Sequence, residues 1–255
     1  MTESSSPKPV LTVEGLRRTY GESVAVDGLS FRVNPGEILG LVGPNGAGKT
    51  TTLRSIAGIL PIQEGRITVA GLDIDIEGHR ARQHLAWVPD DPQPFDSLTV
   101  EEHLELVAGL YGTTDWKRRR EDLLESFSLK DKRRALGGEL SRGMRQKLAL
   151  ASAWLSEPKL VLLDEPLSGL DPRGIRTARQ AIQDIAASGV AVILSSHLLE
   201  LVEQLASRLL IIDYGKKTFE GTLEEAHTGF EIPMGSSLED VFFAATRHEA
   251  GDKPG

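Results

Sequence analysis

Apolar positions along the chain run in short blocks up to about residue 90, take helical spacing to about residue 155, and return to short blocks afterwards. The first block, Val10 to Val13, reads as a strand and follows a serine- and proline-containing start, MTESSSPKP, which reads as a flexible leader over residues 1–9. Between Ser23 and Gly43 the apolar residues alternate or cluster (VAVDGLSFRV, then EILGLVG). They are interrupted by Asn34-Pro35-Gly36, so two strands joined by a turn are predicted. Gly48 to Ala57 has the spacing of a helix and Arg66 to Val69 that of a strand, giving the strand, loop, helix, strand order of an α/β sheet.

The middle of the chain, Leu98 to Leu155, holds three helical stretches, VEEHLELVAGLY, WKRRREDLLESF and SRGMRQKLALASAWL, and almost no strand pattern. Leu160 to Leu163 and Val190 to Leu194 are nearly continuous apolar runs, as expected of strands buried on both faces, with a helix from about Arg173 to Ala187 between them. Leu209 to Gly221 reads as two strands around Tyr214-Gly215, and Leu238 to Thr246 as a short amphipathic helix. These elements predict one domain over residues 10–225, with a core of 10–89 and 156–225, a helical subdomain at about 90–155, and an extension over 226–255 with a short helix and polar tail.

A length of 255 residues suits one sizeable core. A formal net charge of -8 argues against broad nucleic-acid binding, which needs a surplus of basic side chains. Without cysteine there is no disulfide, thiolate metal site or cysteine nucleophile. No stretch reaches the ~18–20 apolar residues that span a bilayer, so the chain is expected in the cytoplasm.

One segment changes this picture from fold to chemistry. Gly43-Pro44-Asn45-Gly46-Ala47-Gly48-Lys49-Thr50 has the spacing Gly-x-x-x-x-Gly-Lys-Ser/Thr, after the apolar strand Ile38 to Val42 and before a helix. Its glycines let backbone N–H groups close around phosphates, and the helix adds its positive end. Lys49 neutralises charge developing during phosphoryl transfer, and Thr50 offers a hydroxyl to Mg²⁺. A second buried strand, Leu160-Val161-Leu162-Leu163, delivers Asp164 and Glu165 to its C-terminal end, where Asp164 would face Mg²⁺ and Glu165 would orient the attacking water.

The block ELSRGMRQKLALASAWLSEPKLVLLDEPLSGLDP closely resembles the signature, acidic strand and following loop of ABC transporter ATPase subunits. The resemblance covers Val10 to about Leu223 and implies a P-loop α/β core with an antiparallel β portion and an inserted helical subdomain. It also implies ATP and Mg²⁺ as cofactors, with Thr51 completing the phosphate loop. Leu140, Ser141, Arg142, Gly143 and Met144 stand where the family has leucine-serine-glycine-glycine-glutamine, so Ser141 and the Gly143 backbone are expected to meet the γ-phosphate held by a second copy or a homologous subunit. Tyr20 occupies the adenine-stacking position and Asp171 lies in the loop that communicates across the dimer. His197 matches the switch histidine that helps hold the attacking water. Where the family places a metal-contacting glutamine, WVPDDPQPFDSLTV has Asp90, with Gln93 three residues later; Asp90 remains an oxygen donor for Mg²⁺.

The departures at Asp90, Arg142 and Met144, with the C-terminal SSLEDVFFAATR, resemble subunits of ABC-2 type exporters, which implies a separate membrane permease and a peripheral position on the inner face of the cell membrane. A non-transport ABC ATPase and an ATP sensor with little turnover are the rival readings; the chain has neither a long coiled-coil insertion nor two ATPase units, and it keeps Glu165 and His197. The other histidines, at 79, 84, 103, 227 and 248, show no metal-ligand spacing, so no zinc is expected. Lys117 to Arg120 and Lys132 to Arg134 read chiefly as solvated helical faces.

Overall fold

Two β-sheets organise residues 8–247, the part of the chain that the computed structural model describes. The first strands, β1 (Leu11–Tyr20) and β2 (Ser23–Val33), pair antiparallel from Leu11 opposite Val33 to Tyr20 opposite Ser23. The first strand runs well past Val13. The polar stretch Glu14–Tyr20 lacks the alternation that marks a strand, and is held by partners on both sides, among them Arg17, which bridges Asp27 and Glu64. The turn at Asn34-Pro35-Gly36 joins β2 to β3 (Ile38–Val42), yet these two strands do not pair. All five residues of β3 are buried, which suits the middle of a sheet covered on both faces, and the chain crosses there from one sheet to the other.

With β4 (Glu64–Val69) and β5 (Leu72–Asp73), the first two strands form a four-stranded antiparallel sheet of order β2-β1-β4-β5. The second sheet has six strands: β6 (Leu85–Val88), β7 (Leu160–Asp164), β8 (Ala191–Ser195), β9 (Arg208–Asp213), β10 (Lys216–Gly221) and β3, in the order β10-β9-β3-β8-β7-β6. It is parallel except for β10, which pairs antiparallel with β9. Successive residues point to opposite faces: Val161 and Leu163 enter one apolar cluster, Leu160 and Leu162 the other. Each fully buried Leu, Ile or Val contributes about 1.5–3 kcal/mol, and the central strands contribute to both sides of the sheet at once. Parallel strands share one C-terminal edge, which brings the ends of β3, β7 and β8 together.

The helices are α1 (Lys49–Ile56), α2 (Gly78–Arg82), α3 (Val100–Tyr111), α4 (Trp116–Ser126), α5 (Arg142–Leu155), α6 (Pro172–Ala187), α7 (Leu199–Leu205), α8 (Leu223–Gly229) and α9 (Leu238–Arg247). The third helix starts at a capping box in which the Thr99 hydroxyl accepts from Glu102 N and Glu102 accepts from Thr99 N. Helices α3, α4 and α5 pack against one another. The basic run there is not simply a solvated face: Arg120 pairs with Glu101 and Glu121, Arg133 with the same two carboxylates, and Arg119 with Glu157 and the Trp154 carbonyl. Except for Glu121 beside Arg120, sequence distance hides these partners, which tie α3, α4 and the end of α5 together.

The C-terminal extension belongs to the same core. Leu238 and Val241 of α9 are fully buried, and Glu203 of α7 accepts from Leu238 N at 2.9 Å. A boundary at residue 225 therefore cuts through α8. Residues 1–7 of the expected leader and 248–255 of the expected tail, His248 included, lie outside the described residues.

Candidate active site

Gly43 follows β3 and its loop closes on α1 through glycine geometry. Gly48 has φ of 102°, and a Cβ there would stand 2.3 Å from the Ala25 carbonyl oxygen, so only glycine fits. The first turn of α1 carries no acidic residue, and Gly48 gives no side-chain cap. Its leading N–H groups and positive end are therefore not taken up by a carboxylate of the helix itself. Lys49 Nζ donates to the carbonyls of Gly43 at 2.6 Å and Pro44 at 3.0 Å, folding over its own loop. Burial lowers its pKa, with Glu165 and Asp164 opposing that shift.

Thr50 Oγ1 donates to Asp164 Oδ2 at 2.9 Å, joining the phosphate loop to the end of β7. Burial raises the Asp164 pKa; the Thr50 hydrogen bond works against this, while Glu165 and Asp90 add to it. Glu165 sits in the left-handed region at φ 50°, a strained setting for a non-glycine residue. There its Oε1 accepts from His197 N at 2.8 Å, and its Oε2 accepts from Ser196 Oγ at 3.0 Å and lies 2.8 Å from His197 Nδ1. Sequence reasoning misses Ser196. Its only signal is its place beside His197 at the end of a buried strand.

Asn45, Gly46, Ala47, Gly48, Lys49, Thr50, Thr51, Asp90, Asp164, Glu165, Ser168 and His197 line a cavity of about 350 Å³. The fold thus gathers at one sheet edge the phosphate loop, both acidic residues of β7's end, the histidine after β8 and Asp90. A larger cavity of about 700 Å³, between α4, α5 and α6, contains none of these groups. Ser141, Gly143 and Met144 are absent from the phosphate cavity's lining. Ser141 caps α5, its hydroxyl accepting from Met144 N at 3.3 Å. Gly143 has a packing reason to be glycine: a Cβ there would meet the Gly169 carbonyl oxygen at 2.7 Å. Arg142 is placed differently from its neighbours, since one guanidinium nitrogen donates to Asp90 Oδ1 at 3.0 Å and to Ser168 Oγ at 2.9 Å. Asp171 caps α6 by accepting from Gly174 N at 3.0 Å. Tyr20 ends β1 outside the cavity's lining, 49% exposed, with the Arg18 guanidinium 5.1 Å from its ring centre.

Asp90, Asp164 and Glu165 bring carboxylates to the cavity, against one lysine inside it and Arg142 at its rim. Among the described residues no group of three or more His, Cys, Asp or Glu side chains is placed to hold a metal ion by itself. Thr50, Asp164 and Asp90 nonetheless supply hard oxygen atoms beside a phosphate loop, which fits Mg²⁺ bound jointly by protein and phosphate.

Residues 26–168 match the family model described as ABC transporter. The chain is 38% identical over 222 residues to the Nod factor export ATP-binding protein I of Ralstonia nicotianae (strain ATCC BAA-1114 / GMI1000), covering 86% of this chain and 69% of that protein. It is 32% identical over 246 residues to the ABC-type transporter ATP-binding protein EcsA of Bacillus subtilis (strain 168), covering 95% and 98%. A solved structure described as the ATP binding subunit of an ABC transporter superposes with a TM-score of 0.90 at 32% identity, covering 93% of this chain and all of that one.

Proposed function

The chain belongs to the ABC transporter family as an ATP-binding and ATP-hydrolysing subunit, and from that premise we propose that it powers an ABC-2 type exporter by closing on a second ATPase copy beneath a separate membrane permease. The observation that carries this reading is the position of Glu165, which shares a cavity with the phosphate loop and is held by Ser196 and His197.

Hydrolysis then divides among the chain's own groups. The loop from Gly43 to Thr51 binds phosphate through backbone N–H groups at the start of α1, and Lys49 leaves the Gly43 and Pro44 carbonyls to meet that charge. Glu165 orients water on the far side of the γ-phosphate, and His197 fixes the carboxylate from two directions. When bound, Mg²⁺ would be held by Thr50, Asp164 and Asp90 with phosphate oxygens, and would neutralise developing charge. Tyr20 offers an exposed ring to the base.

The second copy is supported by the placement of Ser141, Gly143 and Met144 outside the chain's own phosphate cavity, at the start of a helix that can meet another subunit's phosphate. Asp171 lies at the same face, tied to the signature helix through Lys147 at 3.7 Å. Among the described residues no helix is long and apolar enough to cross a membrane; in this reading a separate permease provides the substrate's path. The relative named for Nod factor export supports an export direction. Purification of a tagged chain from membranes tests the partner: a multi-span protein should accompany it, whereas recovery with ribosomes or a DNA-repair complex would overturn the transport reading.

A further inference from the structure

Two departures from the family pattern, far apart in sequence, touch each other. Asp90 stands where a neutral glutamine is usual and Arg142 where a glycine is usual, and their side chains meet at 3.0 Å across 52 positions. An extra negative charge beside Asp164 and Glu165 is thus matched by an extra positive one, and the same guanidinium nitrogen also donates to Ser168 at 2.9 Å. Ser168 and Asp90 both line the phosphate cavity, so Arg142 links two of its walls from outside.

We propose that Arg142 is a positioning residue that clamps Asp90 to the Ser168 loop in the metal-free chain, and that a nucleotide-bound divalent cation competes with this clamp for the Asp90 carboxylate. This rests on the ATP-binding reading above. The contact is through a single guanidinium nitrogen and both partners are about half exposed (48% and 50%), so the clamp is weak enough for a cation to break. A glutamine at this position could not be exchanged so sharply, because its neutral oxygen attracts neither a guanidinium nor Mg²⁺ as a carboxylate does. Release has a directional consequence: Arg142 lies between Ser141 and Gly143, so cation binding in one phosphate site frees a guanidinium beside the residues that would complete the other.

The test is Mn²⁺ binding to the full chain in the presence of a non-hydrolysable ATP analogue, followed by electron paramagnetic resonance. Arg142→Gly should tighten Mn²⁺ by about two- to fivefold, the range a half-exposed ion pair can supply. Arg142→Gln, which keeps the side chain's bulk, should do the same. Asp90→Gln should weaken Mn²⁺ binding and remove the effect of either Arg142 change, whereas a long-range charge effect of Arg142 would persist in that background. Equal Mn²⁺ affinity in wild type and both Arg142 variants, or an undiminished Arg142 effect with Asp90→Gln, overturns the clamp while leaving ATP binding intact. Failure of the wild-type chain to bind any Mn²⁺–nucleotide overturns both the clamp and the reading on which it rests.

Discussion

Replacing Gly48 by alanine puts a methyl group where the fold has no room for one. An L-residue in the left-handed region costs about 1–2 kcal/mol, and Gly48 lies there at φ 102°. The new Cβ would stand 2.3 Å from the Ala25 carbonyl oxygen and 3.4 Å from Val26 Cγ2. Relief requires movement of β2 or of the loop, because the obstructing atom is backbone. Neither moves alone: Gly215 N donates to Ala47 O at 3.1 Å and Asp27 N donates to Gly215 O at 2.9 Å, fastening loop, β2 and the turn after β9 together. Overpacking of this kind costs about 1–3 kcal/mol, for a total loss of about 2–5 kcal/mol. Urea unfolding followed by tryptophan fluorescence measures the stability, and titration with a fluorescent ATP analogue measures binding, which should weaken at least tenfold. Gly109→Ala is the control: this glycine lies inside α3 with nothing within 4 Å of the place a methyl group would take, and alanine should stabilise by about 0.5–1 kcal/mol. A Gly48→Ala chain within about 0.5 kcal/mol of wild type, with unchanged nucleotide affinity, would refute the steric argument.

Leu238→Ala should cost about 2–5 kcal/mol, because Leu238 is fully buried where α9 joins the core; a loss below about 1 kcal/mol in the same unfolding assay would show that the extension is peripheral. Burial holds the His103 pKa below its ordinary value, and its Nδ1 has no hydrogen-bond partner. The unfolded chain therefore takes up a proton at about 6.5 that the folded chain resists, so stability falls as pH drops through that value. His103→Phe should make the stability profile shallower between about pH 7 and 5, leaving the part due to His84, whose pKa burial also lowers. An unchanged slope would remove His103 from that account.

The parts of the site visible in the sequence are those in which chemistry and spacing are contiguous. Gly43 to Thr50 needs only its own order to form a phosphate loop, and Asp164 and Glu165 announce themselves by ending a buried apolar run. What stays hidden depends on tertiary contacts. The edge strand Leu85–Val88 is too short for its four residues to show a period, and is defined by pairing with β7. The turn at Asn34-Pro35-Gly36 is legible as a join between two strands, but that β3 lies in another sheet shows only in its pairing and burial. The Glu165 backbone strain, the Ser196 hydroxyl on its carboxylate and the Asp90–Arg142 pair have no local signature at all. Arg119, Arg120 and Arg133 read as solvent-facing because the carboxylates they meet come mostly from other segments.

Glu165 tests the catalytic assignment most directly. Steady-state phosphate release from ATP by the purified chain should require Mg²⁺, and Glu165→Gln should reduce turnover by about 10²–10⁴-fold while ATP binding stays within twofold of wild type. The amide keeps an oxygen to accept from His197 N, so the pocket's hydrogen bonds are largely preserved and only the charge that polarises water is lost. Unchanged turnover in this variant would contradict the assignment of the water-orienting role to Glu165.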